Sequence, residues 1–225
     1  MYVTIPTDHI DPTPNLPFAC SNAKNTHQSL KKAGSYIFFE GDQAGWLYQV
    51  TSGVVRQSRL LEDGRRQVIA FGYPGDIVGF PSEGLYHTDC DVLVEACLQP
   101  YRISVLETGE GDPELHDQLL QAALREISAM QDHFMMLGRK SAVEKVSSFL
   151  SVLSNRVGED IGGYRQVTLP MGRTDIADFL GLTTETVSRT LTQLRKSRII
   201  AIDAIHTIVV LRPTALLGLS SGGHA

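Results

Sequence analysis

Residues 173–198 read RTDIADFLGLTTETVSRTLTQLRKSR, and this stretch predicts two short helices joined by a sharp turn at Gly181. Glycine permits the left-handed backbone conformation that such a turn requires. Thr183 follows at a position where its hydroxyl can cap the second helix. Apolar and small residues recur at helical spacing on both sides of the turn. They are Ile176, Ala177, Leu180, Leu182, Val187, Leu191 and Leu194. The pattern is typical of a helix-turn-helix.

The other face of the second helix carries Glu185, Ser188 and Arg189, which are spaced to share one exposed side. In a helix-turn-helix, residues at the start of the second helix enter the major groove of DNA. A carboxylate can accept a hydrogen bond from cytosine N4, and a guanidinium can bind guanine O6 and N7. The alternative is that Glu185 only complements the helix dipole and pairs with Arg189 one turn away.

Further polar and basic residues around this motif are candidates for contacts with the DNA backbone or for setting its register. They are Arg173, Thr183, Thr184, Arg195, Lys196 and Arg198. For the last three, the alternative is a solvated helix end, where positive charge is favourable without any ligand.

The charge distribution agrees with DNA binding by the C-terminal part alone. The 225 residues carry a net charge of −5, which argues against non-specific coating of nucleic acid. Residues 156–225 hold eight basic and six acidic residues, whereas residues 1–155 hold twelve and nineteen. A mildly basic C-terminal part therefore follows an acidic N-terminal part.

Three cysteines, Cys20, Cys90 and Cys97, form neither a C-x-x-C pair nor an even disulfide framework. Free thiols indicate a reducing compartment. Residues 1–15 lack the basic and apolar regions of a signal peptide, and no apolar run approaches the length of a membrane span. We expect a cytoplasmic protein that does not contact a membrane.

Residues 34–106 read as short strands separated by glycine turns, a pattern that favours an antiparallel β-roll or jelly roll. The expected strands are residues 36–39, 46–51, 54–61, 67–71, 91–97 and 101–105. Asp63-Gly64 lies between two alternating runs and indicates a hairpin. A short helix is expected near residues 26–32.

A long helix is predicted from Asp112, an N-cap followed by proline, to Leu137. Apolar residues spaced alternately three and four apart form a heptad seam. They are Leu120, Ala123, Ile127, Met130, Phe134 and Leu137. An ordinary helix packed on its own domain is the alternative. Because Leu119 and Leu124 supply a second apolar flank, we expect the seam to form a homodimer interface.

Residues 138–140 (Gly-Arg-Lys) are expected to break this helix, and residues 141–144 (SAVE) form a capping box for the next one. A polar loop over residues 158–163, a strand near residues 166–169, a β-hairpin after the helix-turn-helix and a frayed tail from Leu217 complete the prediction. The chain is α+β. We divide it into an N-terminal arm (residues 1–25), a β-roll domain (26–111), a dimerisation helix (112–138) and a winged helix-turn-helix domain (139–225).

This order of elements resembles the CRP/FNR superfamily of dimeric bacterial transcription regulators. The segment GLTTETVSR, residues 181–189, is similar to the FNR and FixK branch. The resemblance implies that Glu185, Ser188 and Arg189 read a TTGA-type half-site of a palindromic operator. It also implies contact with RNA polymerase and activation of genes for microoxic respiration and nitrogen fixation.

The chain departs from two patterns of the superfamily. The N-terminal cysteine cluster that holds an iron–sulfur centre in FNR is reduced here to Cys20. Where cyclic-AMP receptors place a glutamate and an Arg-Ser pair, this chain has Phe80-Pro81 and Cys90-Asp91, and an acid would repel a cyclic phosphate. His87 near Cys90 lacks the partners of a metal site. We expect no cofactor and no metal.

These observations predict a DNA-binding activator that needs no small-molecule effector. The alternative is a sensor in which the β-roll binds a small molecule before DNA binding is enabled. The chain lacks the P-loop, the G-x-S-x-G sequence and the histidine-glutamate metal motifs of common enzymes, so we do not expect an enzyme.

Overall fold

A computed structural model describes residues 29–109 and 112–222. The expected arm over residues 1–25 lies outside the described residues. The first part of the described chain is a six-stranded antiparallel sheet. The strands are β1 (Ser29–Lys31), β2 (Tyr36–Phe38), β3 (Trp46–Leu60), β4 (Arg66–Gly72), β5 (Ile77–Val78) and β6 (Asp89–Arg102). Strands β1, β6, β3 and β4 are neighbours in that order, while β2 pairs with β6 and β5 pairs with β3. The predicted antiparallel β domain is confirmed.

Strands β3 and β6 are longer than predicted, because the expected turn at Ser52-Gly53 is a bulge inside β3. Gly53 has φ +80°, and a Cβ at this position would lie 2.2 Å from the carbonyl oxygen of Glu95. Only glycine fits here, since the two backbones approach too closely for a side chain. The predicted hairpin at Asp63-Gly64 is confirmed, and it joins β3 to β4.

Two local predictions in this domain are wrong. Ser29–Lys31 pairs with β6 as a strand, although a helix was expected near residues 26–32. Of residues 101–105, which were expected to be a strand, Tyr101 and Arg102 end β6 but Ile103 begins helix α1 (Ile103–Thr108). Ile103 packs there against Leu47 and Leu119, so burial outweighs the strand preference of a β-branched residue.

Helix α2 (Pro113–Arg139) begins at Asp112, whose carboxylate accepts from the backbone N–H groups of Glu114 and Leu115. The expected break over residues 138–140 is confirmed, because α2 ends at Arg139 and Lys140 is its C-cap. Helix α3 (Ala142–Val157) begins with the predicted capping box, in which Ser141 and Glu144 satisfy each other's backbone N–H groups. Only Lys140 and Ser141 separate the two helices.

Helix α2 has one buried and one exposed apolar face. Leu119, Ala122, Ala129 and Met136 pack against the same chain. The other face exposes large apolar side chains by 40–74 %: Leu120, Leu124, Ile127, Met130, Phe134 and Met135. Leu124 was expected to join Leu119 on the inner flank, but it belongs to the exposed face.

The C-terminal part combines four helices with a four-stranded sheet in the order β7-β8-β10-β9. Its elements after α3 are β7 (Glu159–Ile161), β8 (Tyr164–Thr168), α4 (Arg173–Leu180), α5 (Thr184–Lys196), β9 (Ile200–Ala204), β10 (Thr207–Val210) and α6 (Pro213–Ser220). The predicted winged helix-turn-helix is confirmed. The polar loop expected over residues 158–163 is instead strand β7 with a Gly162-Gly163 turn, and the expected tail from Leu217 begins inside α6.

One hydrophobic core joins the sheet of the first part to the helices of the second. Phe71 of β4 lies with its ring centroid 5.3 Å from that of Phe179 in α4 and 6.5 Å from that of Phe149 in α3. All three side chains are buried. The division of the chain at residues 138–140 stays a prediction about domains, but the two parts are packed together.

No helix in the described ranges is both long and apolar enough to span a bilayer.

We expect Leu180→Ala to lower the free energy of unfolding by about 2–5 kcal/mol, because it removes a fully buried side chain that holds α4 in the shared core. Chemical denaturation measures the change. The matched control is Leu60→Ala, at a side chain that is 63 % exposed, where a change within about 0.5 kcal/mol is expected. Equal losses in the two variants would contradict the assigned core.

Candidate nucleic-acid interface

The predicted turn between α4 and α5 has the geometry of a helix-turn-helix. Gly181 ends α4 in the left-handed conformation, at φ 61° and ψ 43°. Thr183 precedes α5, and its Oγ1 accepts from the backbone N–H of Thr186 at 3.1 Å. Both local predictions are confirmed. Val187, Leu191 and Leu194 bury the inner face of α5, so the opposite face of this helix is left to solvent.

Glu185 and Arg189 extend from the outer face of α5, with their side chains 70 % and 80 % exposed. Their Oε1 and Nη2 atoms are 2.6 Å apart. The alternative considered for the sequence, an ion pair within the helix, is therefore present. It does not compete strongly with DNA binding, because an exposed pair of this spacing contributes only about 0.3–0.5 kcal/mol.

Ser188 lies between these two residues along the helix and is exposed. Its Oγ donates to the carbonyl oxygen of Thr184 at 2.9 Å, and Thr192 Oγ1 donates in the same way to Ser188 O. Each hydroxyl proton is thus used inside the helix. The lone pairs of Ser188 Oγ remain available to accept a hydrogen bond from a bound molecule.

The groove along this face of α5 extends beyond Glu185, Ser188 and Arg189, the three residues predicted to contact bases. It is lined by Glu185, Ser188, Arg189, Thr192, Gln193, Lys196 and Ser197. Sequence reasoning predicted Lys196 but missed Thr192 and Gln193. The helical repeat could have found both, because Thr192 is four residues after Ser188 and Gln193 is four residues after Arg189.

Arg173, the first residue of α4, connects this helix to the tip of the β9–β10 wing. Its Nη2 donates to the carbonyl oxygen of Ile205 at 3.4 Å. Among the described residues, its Nη1 has no hydrogen-bond partner. Partial burial lowers the pKa of Arg173 from its usual value, but the group stays charged at neutral pH. Arg173 thus contacts the wing, and its Nη1 is buried rather than open to solvent.

The other predicted backbone contacts lie at the two ends of α5. Thr183 and Thr184 are exposed where the helix begins. Arg195, Lys196 and Arg198 are exposed where it ends. Lys196 lines the same groove as Arg189, whereas Arg195 is not among its lining residues. Arg198 follows the helix with φ 54°, in the turn before β9.

Aromatic side chains fill the interior of the β-roll. The rings of Phe38 and Tyr86 stack with centroids 4.0 Å apart, and Tyr48 lies 6.2 Å from Phe38. The Tyr86 hydroxyl donates to the carbonyl oxygen of Trp46 at 2.7 Å. A Cβ at Gly79 would lie 3.2 Å from both stacked rings. Phe38 and Tyr86 are therefore part of a buried cluster of the β-roll, against which Tyr48 packs.

Neighbouring polar groups of the β-roll are buried as well. The carboxylate of Asp76 accepts from Tyr73 N at 2.8 Å and lies 2.7 Å from Arg156 of α3. Cys90 is fully buried, and burial raises the pKa of its thiol well above the usual range. Within the described ranges, His, Cys, Asp and Glu do not form a group of three that could hold a metal ion.

Comparison with known families gives two matches in this chain. Residues 30–95 match the model of the cyclic nucleotide-binding domain, and residues 144–219 match that of the Crp-like helix-turn-helix domain. The first match covers most of the β-roll. The second covers α4, α5 and the wing, so it contains the whole groove described above.

Among relatives, the nitrogen fixation regulation protein FixK of Rhizobium meliloti is 39 % identical over 188 residues, which cover 84 % of both chains. FixK of Azorhizobium caulinodans is 42 % identical over 83 % of this chain and 76 % of its own. The transcriptional activatory protein AadR of Rhodopseudomonas palustris is 42 % identical over 74 % and 70 %.

A solved structure, FixK2 from Bradyrhizobium japonicum, superposes with a TM-score of 0.79 at 34 % identity, covering 89 % of this chain and 98 % of that chain. These relatives are transcription regulators, and the expectation of a regulator rather than an enzyme is confirmed. The chain combines a sheet domain with a DNA-binding helix-turn-helix, and FixK proteins match both over most of their length. It therefore belongs to the CRP/FNR superfamily of transcription regulators, within its FixK-type branch.

Proposed function

We propose that this protein is a homodimeric transcription activator that binds a palindromic TTGA-type operator and needs no small-molecule effector. The observation that carries the proposal is the exposed face of α5, where Glu185, Ser188 and Arg189 point away from a buried inner face. Its target genes would include those of nitrogen fixation, as the names of its FixK relatives indicate. Genes of microoxic respiration are added by the resemblance of residues 181–189 to the FNR and FixK branch. It would act on the bacterial chromosome, in the cytoplasm.

The proposed base contacts follow from the chemistry of the three side chains. Arg189 can exchange its exposed partner Glu185 for guanine O6 and N7, and Glu185 is then available to cytosine N4. The Ser188 hydroxyl can accept a hydrogen bond from a base, because it already donates its proton to the carbonyl oxygen of Thr184. Arg173, Thr183, Thr184, Arg195, Lys196 and Arg198 would contact phosphates at the edges of this surface. Arg173 begins α4 and contacts the tip of the wing, a position at the edge of this surface that supports such a role.

The proposed dimer uses the exposed face of α2, around Leu120, Ala123, Ile127, Met130 and Phe134. A row of large apolar side chains left open on a long helix is unusual for a monomer and typical of an interface. Leu137, the last residue of the predicted seam, is partly buried and packs against the shared core of its own chain. Two copies joined along α2 would present two recognition helices, which explains a palindromic operator.

RNA polymerase is the third proposed partner. The β7–β8 hairpin presents the exposed side chains of Ile161 and Tyr164 beside its Gly162-Gly163 turn. We infer the contact at this hairpin and at turns of the β-roll by analogy with the family.

The alternative function is a ligand-gated sensor, which is favoured by the match of residues 30–95 to the cyclic nucleotide-binding domain. The stacked rings of Phe38 and Tyr86 argue against it, because they fill the interior of the β-roll.

We expect Arg189→Ala to abolish discrimination at the G·C pair of the half-site, because a bidentate contact is worth about 1–3 kcal/mol against a wrong base. Affinities for the operator and for a variant with this pair exchanged measure the loss. Arg65→Ala, at an exposed arginine of the β3–β4 turn, is the control and should discriminate as the unmodified protein does. Retained discrimination by Arg189→Ala would refute the base assignment.

We expect the double variant Ile127→Asp, Phe134→Asp to be monomeric, since it would place four carboxylates in one apolar interface. Sedimentation equilibrium measures the mass. Gln121→Asp changes an exposed residue of the same helix outside the seam, and this control should remain a dimer. An intact dimer in the double variant would exclude the seam as the interface.

Operator binding by the purified protein without added ligand distinguishes the two candidate functions. We expect specific binding that cyclic AMP or cyclic GMP does not strengthen, because Phe38 and Tyr86 already fill the β-roll. A fluorescence-anisotropy titration with and without each nucleotide measures it. Binding that depends on either nucleotide would favour the ligand-gated sensor.

A further inference from the structure

Five charged side chains connect the β-roll to α4, the first helix of the helix-turn-helix. We call this set the arginine bridge; it consists of Arg56, Arg66, Asp91, Asp175 and Asp178. Arg56 of β3 binds Asp91 of β6 through two parallel hydrogen bonds of 3.0 and 2.8 Å. Its third donor, Nη1, reaches Asp175 of α4 at 2.5 Å. The two bonds to Asp91 thus fix the plane of the Arg56 guanidinium, and this group then donates to Asp175.

Arg66 of β4 makes the second connection. Its Nη2 donates to Asp175 Oδ1 at 2.5 Å and to Asp178 Oδ2 at 2.7 Å, and its Nε donates to Asp178 at 3.0 Å. Gln67, the next residue of β4, donates from its amide to the carbonyl oxygen of Asp178 at 2.5 Å. The sheet therefore holds α4 at two successive turns.

Asp175 has two tasks at once. Its Oδ2 accepts from the backbone N–H of Gly172 at 3.1 Å, which caps the start of α4. Its Oδ1 accepts from both Arg56 and Arg66. The carboxylate that defines the beginning of the helix is therefore the one that the β-roll holds, and a shift of α4 relative to the sheet would break both sets of bonds.

The bridge is better shielded from solvent around Arg56 than around Arg66 and Asp178, whose side chains are 29 % and 23 % exposed. The side chains of Arg56, Asp91 and Asp175 are 15 %, 9 % and 13 % exposed. Planar guanidinium forks fix an angle as well as a distance. The apolar burial of Phe71 and Phe179 in the shared core depends much less on direction. The bridge can thus set the orientation of α4, while the shared core supplies most of the adhesion.

Resting on the proposed function, we propose that Arg56 and Arg66 are positioning residues for DNA recognition. They set the angle of the helix-turn-helix on the β-roll, and with it the separation at which the two recognition helices of a dimer meet their half-sites. Neither arginine lines the groove on α5, so neither reads a base. The affected property is the accepted half-site spacing, not the preferred half-site sequence.

The test compares operators whose half-sites are intact but whose spacing is the preferred one, one base pair shorter or one base pair longer. We expect the unmodified protein to prefer one spacing by about tenfold or more, and Arg66→Ala to reduce this preference to about threefold or less. Discrimination against a substituted base at the preferred spacing should not change. Arg66→Lys keeps the charge but loses the fork, and it should recover only part of the spacing preference.

Two further variants make the result specific. Arg65→Ala removes the neighbouring arginine, which is 77 % exposed and pairs with Asp63 within the same turn, and should behave as the unmodified protein. Asp178→Asn keeps the shape of the side chain while it weakens the bridge, and it should lower the spacing preference even if Arg66→Ala fails to fold.

The possible outcomes separate the two proposals. An equal loss of affinity at all three spacings in Arg66→Ala and Asp178→Asn would overturn the positioning role and leave the proposed function intact. An unmodified protein that distinguishes neither half-site sequence nor spacing would overturn the proposed function, and the positioning role with it.

Discussion

The contact of Phe179 with Phe71 and Phe149 is the interaction on which the rest of this structure depends. Phe179 belongs to the first helix of the helix-turn-helix, and Phe71 to the sheet of the β-roll. Burial of three aromatic rings in one core joins two parts that the sequence pattern presents as separate. The inner face of α5 belongs to this same core, so the DNA-binding surface is held by the sheet as well as by the neighbouring helices.

The long helix α2 takes part in the same joint. The ring of His133 packs on Phe179 with centroids 4.3 Å apart, and a Cβ at Gly181 would lie 3.3 Å from Leu137. Burial lowers the pKa of His133 to about 4, so its ring is neutral at neutral pH and packs as an aromatic group. The helix with the exposed apolar seam thus directly contacts the turn before the recognition helix. Helix α2 and the helix-turn-helix are thus joined through packed side chains.

Where sequence reasoning failed, a distant partner decided the local structure. Gly53 has the positive φ of a turn, and only its pairing with β6 makes it a bulge inside a strand. Ser29–Lys31 is a strand because β6 offers it an edge. Helix α6 exists because α3 covers Leu216, and residues 213–220 alone carry little signal of this contact.

The sequence by itself determined the local elements: the capped helices at Asp112, Ser141 and Thr183, the left-handed turn at Gly181, and the exposed face of α5 with Glu185, Ser188 and Arg189. These features depend on bonds and periodicities within a few residues, so they can be predicted from neighbours in the chain. Only the tertiary structure decided how α4 is mounted on the β-roll. Arg56 and Asp175 are separated by 119 residues, and nothing in either local sequence predicts that a guanidinium on one will meet a carboxylate on the other.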